Sequence, residues 1–136
     1  MATITQIREG LAANLAVLDG WQVAKYPLTN PTPPGIQIRR GPIVYDRAMG
    51  RGLDEVTMIV QAFVALSSDI GSLARLDELV APTGATSLKT AVEADPTLGG
   101  IVGDVHVTEV DGDVTGQGAN GPILWCQWSV QIYAQN

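Results

Sequence analysis

Two segments whose even positions are all apolar constrain this chain more than anything else in it. From Val56 the even positions read Val56, Met58, Val60, Ala62, Val64 and Leu66, and from Leu124 they read Leu124, Cys126, Trp128, Val130, Ile132 and Ala134. The intervening positions are mixed. Glu55, Thr57 and Gln61 share the odd face of the first segment with Ile59 and Phe63, and Trp125, Gln127, Ser129, Gln131 and Tyr133 make up that of the second. Successive side chains of a strand point to opposite sides, so each segment predicts a long strand with its even face in a core.

Material to cover that face precedes, separates and joins the two strands. Thr3-x-x-Gln6 has capping-box spacing, and Ile4, Ile7, Leu11, Leu15 and Leu18 follow at steps of three and four, which predicts an amphipathic first helix ended by Asp19-Gly20. Trp21 to Tyr26 can form a strand, and Pro27, Pro31, Pro33 and Pro34 stiffen the next loop. Ile36 and Ile38 alternate with polar partners, Ile43 to Tyr45 continue the extended run, and Arg47 to Gly52 breaks it. Ile70, Leu73, Leu76 and Val80 form a helical stripe after Ser68-Asp69, and Ser87 is a good N-cap for a short helix bearing Leu88, Ala91 and Val92. Pro96 disfavours helix at Asp95, and Val105 and Val107 return to strand alternation. The expected order is α-β-β-β-α-α-β-β. It describes one α+β domain over residues 1–136, a largely antiparallel or mixed sheet packed against about three helices.

Charge and side-chain inventory exclude several functions. A net charge of −6 argues against tight DNA binding, which depends on Lys and Arg neutralising phosphates. The single Cys126 can make no intramolecular disulfide, and with His106 the only histidine there is little from which to build a zinc site. No basic flank with a long apolar run marks a signal peptide or membrane helix, so the expectation is synthesis and assembly in a cytoplasm, without a membrane partner.

Three motifs look chemical. Gly116-Gln117-Gly118-Ala119-Asn120-Gly121 spells GxGxxG, but a strand pattern follows it where a helix is needed to hold a pyrophosphate. Asp111-x-Asp113-x-Thr115-Gly116 begins like a calcium loop but has Pro122 where a bidentate Glu belongs. Gly112 to Gly121 therefore reads as a flexible hairpin loop, with no cofactor and no metal expected. His106 lies near Asp104 and Glu109, yet no strained GxSxG-type turn offers a nucleophile, and a strand-surface histidine is the simpler reading.

Surface features point instead to contacts between proteins. Four of the eight basic residues, Arg39, Arg40, Arg47 and Arg51, fall within thirteen positions, whereas Asp69 to Asp113 carries nine acids against Arg75 and Lys89. The arginines can grip phosphate or pair with carboxylates of the same or a neighbouring subunit, and the interleaved Asp46, Asp54 and Glu55 favour pairing. Trp125, Tyr133, Phe63 and Ile59 lie on the less apolar strand faces, to be packed under a helix or used as a contact surface. The candidate interface set is Arg39, Arg40, Arg47, Arg51, Asp54, Trp125 and Tyr133.

Four further segments carry a resemblance. Tyr45-Asp46, Arg51-Gly52-Leu53-Asp54, Ala81-Pro82-Thr83-Gly84 and Ala94-Asp95-Pro96-Thr97-Leu98-Gly99-Gly100 follow one another around the long strand and short helix, and this run resembles the tail terminator proteins of long-tailed bacteriophages. The resemblance implies a structural virion protein and not an enzyme. Such proteins form a homo-oligomeric ring, usually of six subunits, that caps the tail tube and presents a surface to the neck or head-completion protein. It implies residence in the tail-neck region of the virion, with genomic DNA passing through without specific binding. An acidic subunit suits that passage, and opposite-sign patches suit the heterologous contacts that close rings. The alternatives are another head-tail joining or tube protein, or a small enzyme or ligand-binding domain using His106.

Overall fold

The computed structural model describes residues 3–18, 20–27, 34–45, 53–65, 70–118 and 121–135. Its elements are α1 (Ile4–Leu15), β1 (Gln22–Ala24), β2 (Gly35–Val44), β3 (Leu53–Ala65), α2 (Ile70–Val80), α3 (Leu88–Glu93), β4 (Asp104–Val110), β5 (Val114–Gly118) and β6 (Gly121–Gln135). The α+β class and the order expected from the sequence are both present, with one strand more. Val114–Gly118, within the segment read as a flexible loop, is a strand paired with β6. Leu66, Ser68 and Asp69, together with Asp19, Pro31, Pro33 and the run 46–52, lie outside the described residues.

The six strands form one mixed sheet in the order β1-β2-β3-β6-β4, with β5 also against β6. Only the β1–β2 pair is parallel; the others are antiparallel. β3 and β6 pair along thirteen consecutive positions, from Leu53↔Gln135 to Ala65↔Ile123. On their other sides, β2 flanks β3, while β4 and β5 run end to end along β6. Together β4 and β5 make one interrupted arm of a long hairpin with β6. Its register slips once between Val107 and Glu109, and Asp111 N–H still donates to Gln127 O at 2.8 Å across the break.

The core lies on the even side of β3 and β6. Val56, Met58, Val60, Ala62, Cys126, Trp128, Val130 and Ile132 join Ile36 and Ile38 of β2, Val105 and Val107 of β4, and the apolar stripes of all three helices. Burying a stripe of this kind is worth roughly 25 cal/mol per Å² of apolar surface removed from water. Local chemistry sets the helix starts. Thr3 and Gln6 form the expected capping box, and Ser87 Oγ accepts from Thr90 N–H at 3.2 Å while donating to Ala81 O at 2.6 Å.

One staple was not legible in the sequence. Arg8 of α1 is buried, donates from Nη1 to Lys25 O and Ile38 O at 2.6 Å each, and stacks 4.6 Å over the Tyr26 ring. Its cation is held by carbonyls and a π face, which ties the first helix to the β1–β2 end of the sheet.

Candidate functional site

The odd side of the sheet is the second large surface of the molecule, and no described helix packs on it. Strand register turns the sequence into rows across this face. At one end Phe63 pairs with Trp125, followed by Gln61 with Gln127, Ile59 with Ser129, Thr57 with Gln131, and Glu55 with Tyr133. The rows extend outward into β2 on one side, except at Thr57, where the β2 register shifts, and into β4, β5 or the turn between them on the other.

The aromatic end is closely fitted. A Cβ placed on Gly35, opposite Phe63 in β2, would lie 2.6 Å from the Phe63 ring, and one on Gly116 of β5 would lie 3.0 Å from Trp125 Nε1. The two rings thus cover glycines on the strands beside them, which explains why Phe63 is buried without a helix above it. Gln37, Gln61, Gly116, Gln117 and Ile123 complete a shallow hollow around this pair.

Next to it runs a directional chain of amides. Gln37 Nε2 donates to Gln61 Oε1 at 2.7 Å, Gln61 Nε2 to Gln127 Oε1 at 3.2 Å, and Gln127 Nε2 to the Asp111 carboxylate at 2.9 Å. Gln61, at the centre, is buried with both ends of its amide used. Such a chain satisfies polar groups across three strands and the turn beyond them, and favours one register over its neighbours. The glutamines were visible as polar interruptions of an apolar pattern. Their alignment required the register.

The expected interface residues do not form a single patch. Arg39 and Arg40 are both exposed, but they occupy successive positions of β2: Arg39 lies opposite Ile59 on the open face, and Arg40 lies opposite Met58 on the helix side. Trp125 and Tyr133 share the open face, half-buried, but eight residues of β6 separate them, about 27 Å at the usual rise. Asp54 is 2% exposed at the start of β3, at an even position opposite Ala134 of β6. Arg47 and Arg51 lie outside the described residues.

His106 is on the exposed edge of β4, with its side chain 57% accessible and Nδ1 3.3 Å from Glu93 Oε2. Glu93 is the organising group there. Its Oε2 accepts from Val107 N–H at 2.9 Å, satisfying an outward-facing strand amide, and both its oxygens accept from Lys89 Nζ at 2.6 and 2.7 Å. Burial by itself would raise the Glu93 carboxyl. The hydrogen bonds from Lys89 and Val107, with the charges of Lys89 and His106, outweigh it and hold the group below its ordinary value.

Burial pushes the Cys126 thiol up to about 12, with the charges of Asp113 and Asp77 adding to the effect. No group of three or more His, Cys, Asp or Glu that could hold a metal ion occurs among the described residues. Among the described residues, no helix is long and apolar enough to cross a membrane. The Asp95–Gly100 run is a tight knot: the Asp95 carboxylate accepts from Thr97 N–H, Thr97 Oγ1 and Gly99 N–H, while Asn14 Nδ2 of α1 donates to Val92 O and Asp95 O.

Compared with models of protein families and with curated proteins, the chain matches none.

Proposed function

We propose that this chain is a ring-forming tail terminator, a structural subunit that caps a phage tail tube and joins it to the neck. The observation that carries the reading is the odd face of the sheet, on which no described helix packs. It spans the paired length of β3 and β6, is ordered by the amide chain and the Phe63–Trp125 pair, and has Tyr133 at its far end. A face this regular and only half-buried suits contact with other protein subunits, where aromatic groups anchor and polar groups set register. The four segments that carry the resemblance supply its second support. Of these, Asp95–Gly100 builds the knot that docks on α1, so the motif has an architectural role of the kind a structural subunit requires.

Electron microscopy of the purified protein, alone and mixed with tail tubes, tests the proposal. Rings in solution or at tube ends are expected; particles of single-subunit size in both samples would count against it.

A further inference from the structure

The two edges of the sheet carry opposite charge. β1 covers β2 only at Gly35–Gln37, so from Arg39 to Val44 the outer side of β2 has no strand partner among the described residues. Arg39 and Arg40 straddle this bare edge, one toward each face of the sheet, both exposed and neither in an ion pair among the described residues. On the opposite edge, beyond β3 and β6, β4 and the turn into β5 expose Asp104, Glu109, Asp111 and Asp113. Glu93 with Lys89 and His106 occupies the middle of that edge at Val107, but the outer side of β5 has no strand partner among the described residues.

We propose that copies of this chain associate head to tail, the Arg39–Arg40 edge of one subunit against the Glu109–Asp113 edge of the next. The proposal rests on the ring-subunit reading and names the surfaces that meet in it. The occupant of each edge is a second copy, because the complementary charge stands on the other side of the same sheet. Two patches that differ, placed on opposite edges, make a heterologous contact, and repetition of a heterologous contact closes a ring or extends a filament. Opposite charges steer the approach and fix which edge meets which, since like charges set against each other cost several kcal/mol. Pro42 in the bare β2 edge has no N–H to donate, which disfavours a continuous backbone ladder and leaves side-chain charge as the main determinant of the contact.

Charge exchange on the full chain tests this. The variants are Arg39→Glu with Arg40→Glu, Glu109→Arg with Asp113→Arg, and the chain carrying all four substitutions, each checked by circular dichroism; Asp111 is left intact because it ends the amide chain. Sedimentation velocity at low and high salt should show a wild-type assembly that weakens with salt. Each double variant should dissociate at a concentration about 100-fold higher than wild type, because reversal places like charges in contact. An equimolar mixture of the two double variants should regain assemblies larger than dimers, and the fourfold variant should regain them alone. Should a reversed variant lose its fold, Arg39→Gln with Arg40→Gln and Glu109→Gln with Asp113→Asn replace it, with loss of the salt dependence as the expected result. A wild-type assembly that both double variants retain would overturn the edge contact and leave the ring reading standing. A wild type that stays monomeric alone and on tail tubes would overturn both, and two dissociated variants that do not restore each other would overturn the pairing of these edges.

Discussion

Gly10 and Leu98 touch so closely that no other residue fits at position 10 without movement. A Cβ on Gly10 would lie 2.9 Å from Leu98 Cβ. Leu98 is itself held at φ 50, a left-handed conformation rare for a branched side chain, by the Asp95–Gly100 knot around it. The first helix and the loop before β4 are therefore locked at one point of contact.

Gly10→Ala sets two effects against each other. In a helix interior alanine is favoured over glycine by about 1 kcal/mol, whereas overpacking costs about 1 to 3 kcal/mol. The knot is braced from both sides, so the clash wins and the variant should be less stable by about 1 to 2 kcal/mol in denaturant unfolding. In a Leu98→Gly background, where the opposing Cβ is gone, the same substitution should stabilise. Stabilisation by Gly10→Ala in the otherwise wild-type chain would show that the knot yields.

Glu93→Gln should cost about 1 kcal/mol at neutral pH, since Lys89 loses its ion pair and the Val107 amide keeps only a neutral acceptor. The Glu93 pKa is lowered by folding from an ordinary value of 4.5, so its contribution is fully present above that value and is lost as pH falls through the folded pKa. Wild type and Glu93→Gln should therefore converge in stability in acid. A gap between them that stays constant from neutral pH to pH about 3 would contradict this linkage. His106→Ala, at an exposed edge, should change stability by no more than about 0.5 kcal/mol and leave assembly intact; a folded, assembled His106→Ala protein without function would point to catalysis.

The amide chain should behave as a unit. Gln61→Leu removes its buried centre and should cost about 1 to 2 kcal/mol, and Gln127→Leu somewhat less. Because the two share a hydrogen bond, their double variant should be less destabilised than the sum of the singles by about 0.5 to 1 kcal/mol, measured by a double-mutant cycle. Strict additivity would mean that the chain has no collective role.

Cys126 should resist alkylation in the native protein at pH 8 and react at once on unfolding, because burial keeps it protonated. Rapid native labelling would show that the core face of β6 opens readily.

The frame of the fold was legible because its signals are periodic. The even positions of Val56 to Val64 and Leu124 to Ala134 are all apolar, and Thr3 and Ser87 cap helices where expected. β5 was missed because Val114–Gly118 has two glycines and little alternation; pairing with the stronger β6 decides its state, a tertiary effect that local propensity does not carry. The interface set was less legible. Arg39 and Arg40 were grouped by proximity in sequence, and the parity of a strand sends these two exposed residues to opposite sides of the sheet. Arg8, the Glu93 contact with Val107 and the glutamine chain depend on partners 14 to 66 residues away, and nothing local marks them.

Tail termination is measured directly by the elongation of tail tubes in vitro with and without this protein, with tube length and tube ends scored by electron microscopy. A tail terminator predicts that growth stops on addition and that each arrested tube carries a ring at one end. Tubes that continue to lengthen, with bare ends, in the presence of excess folded protein would contradict it.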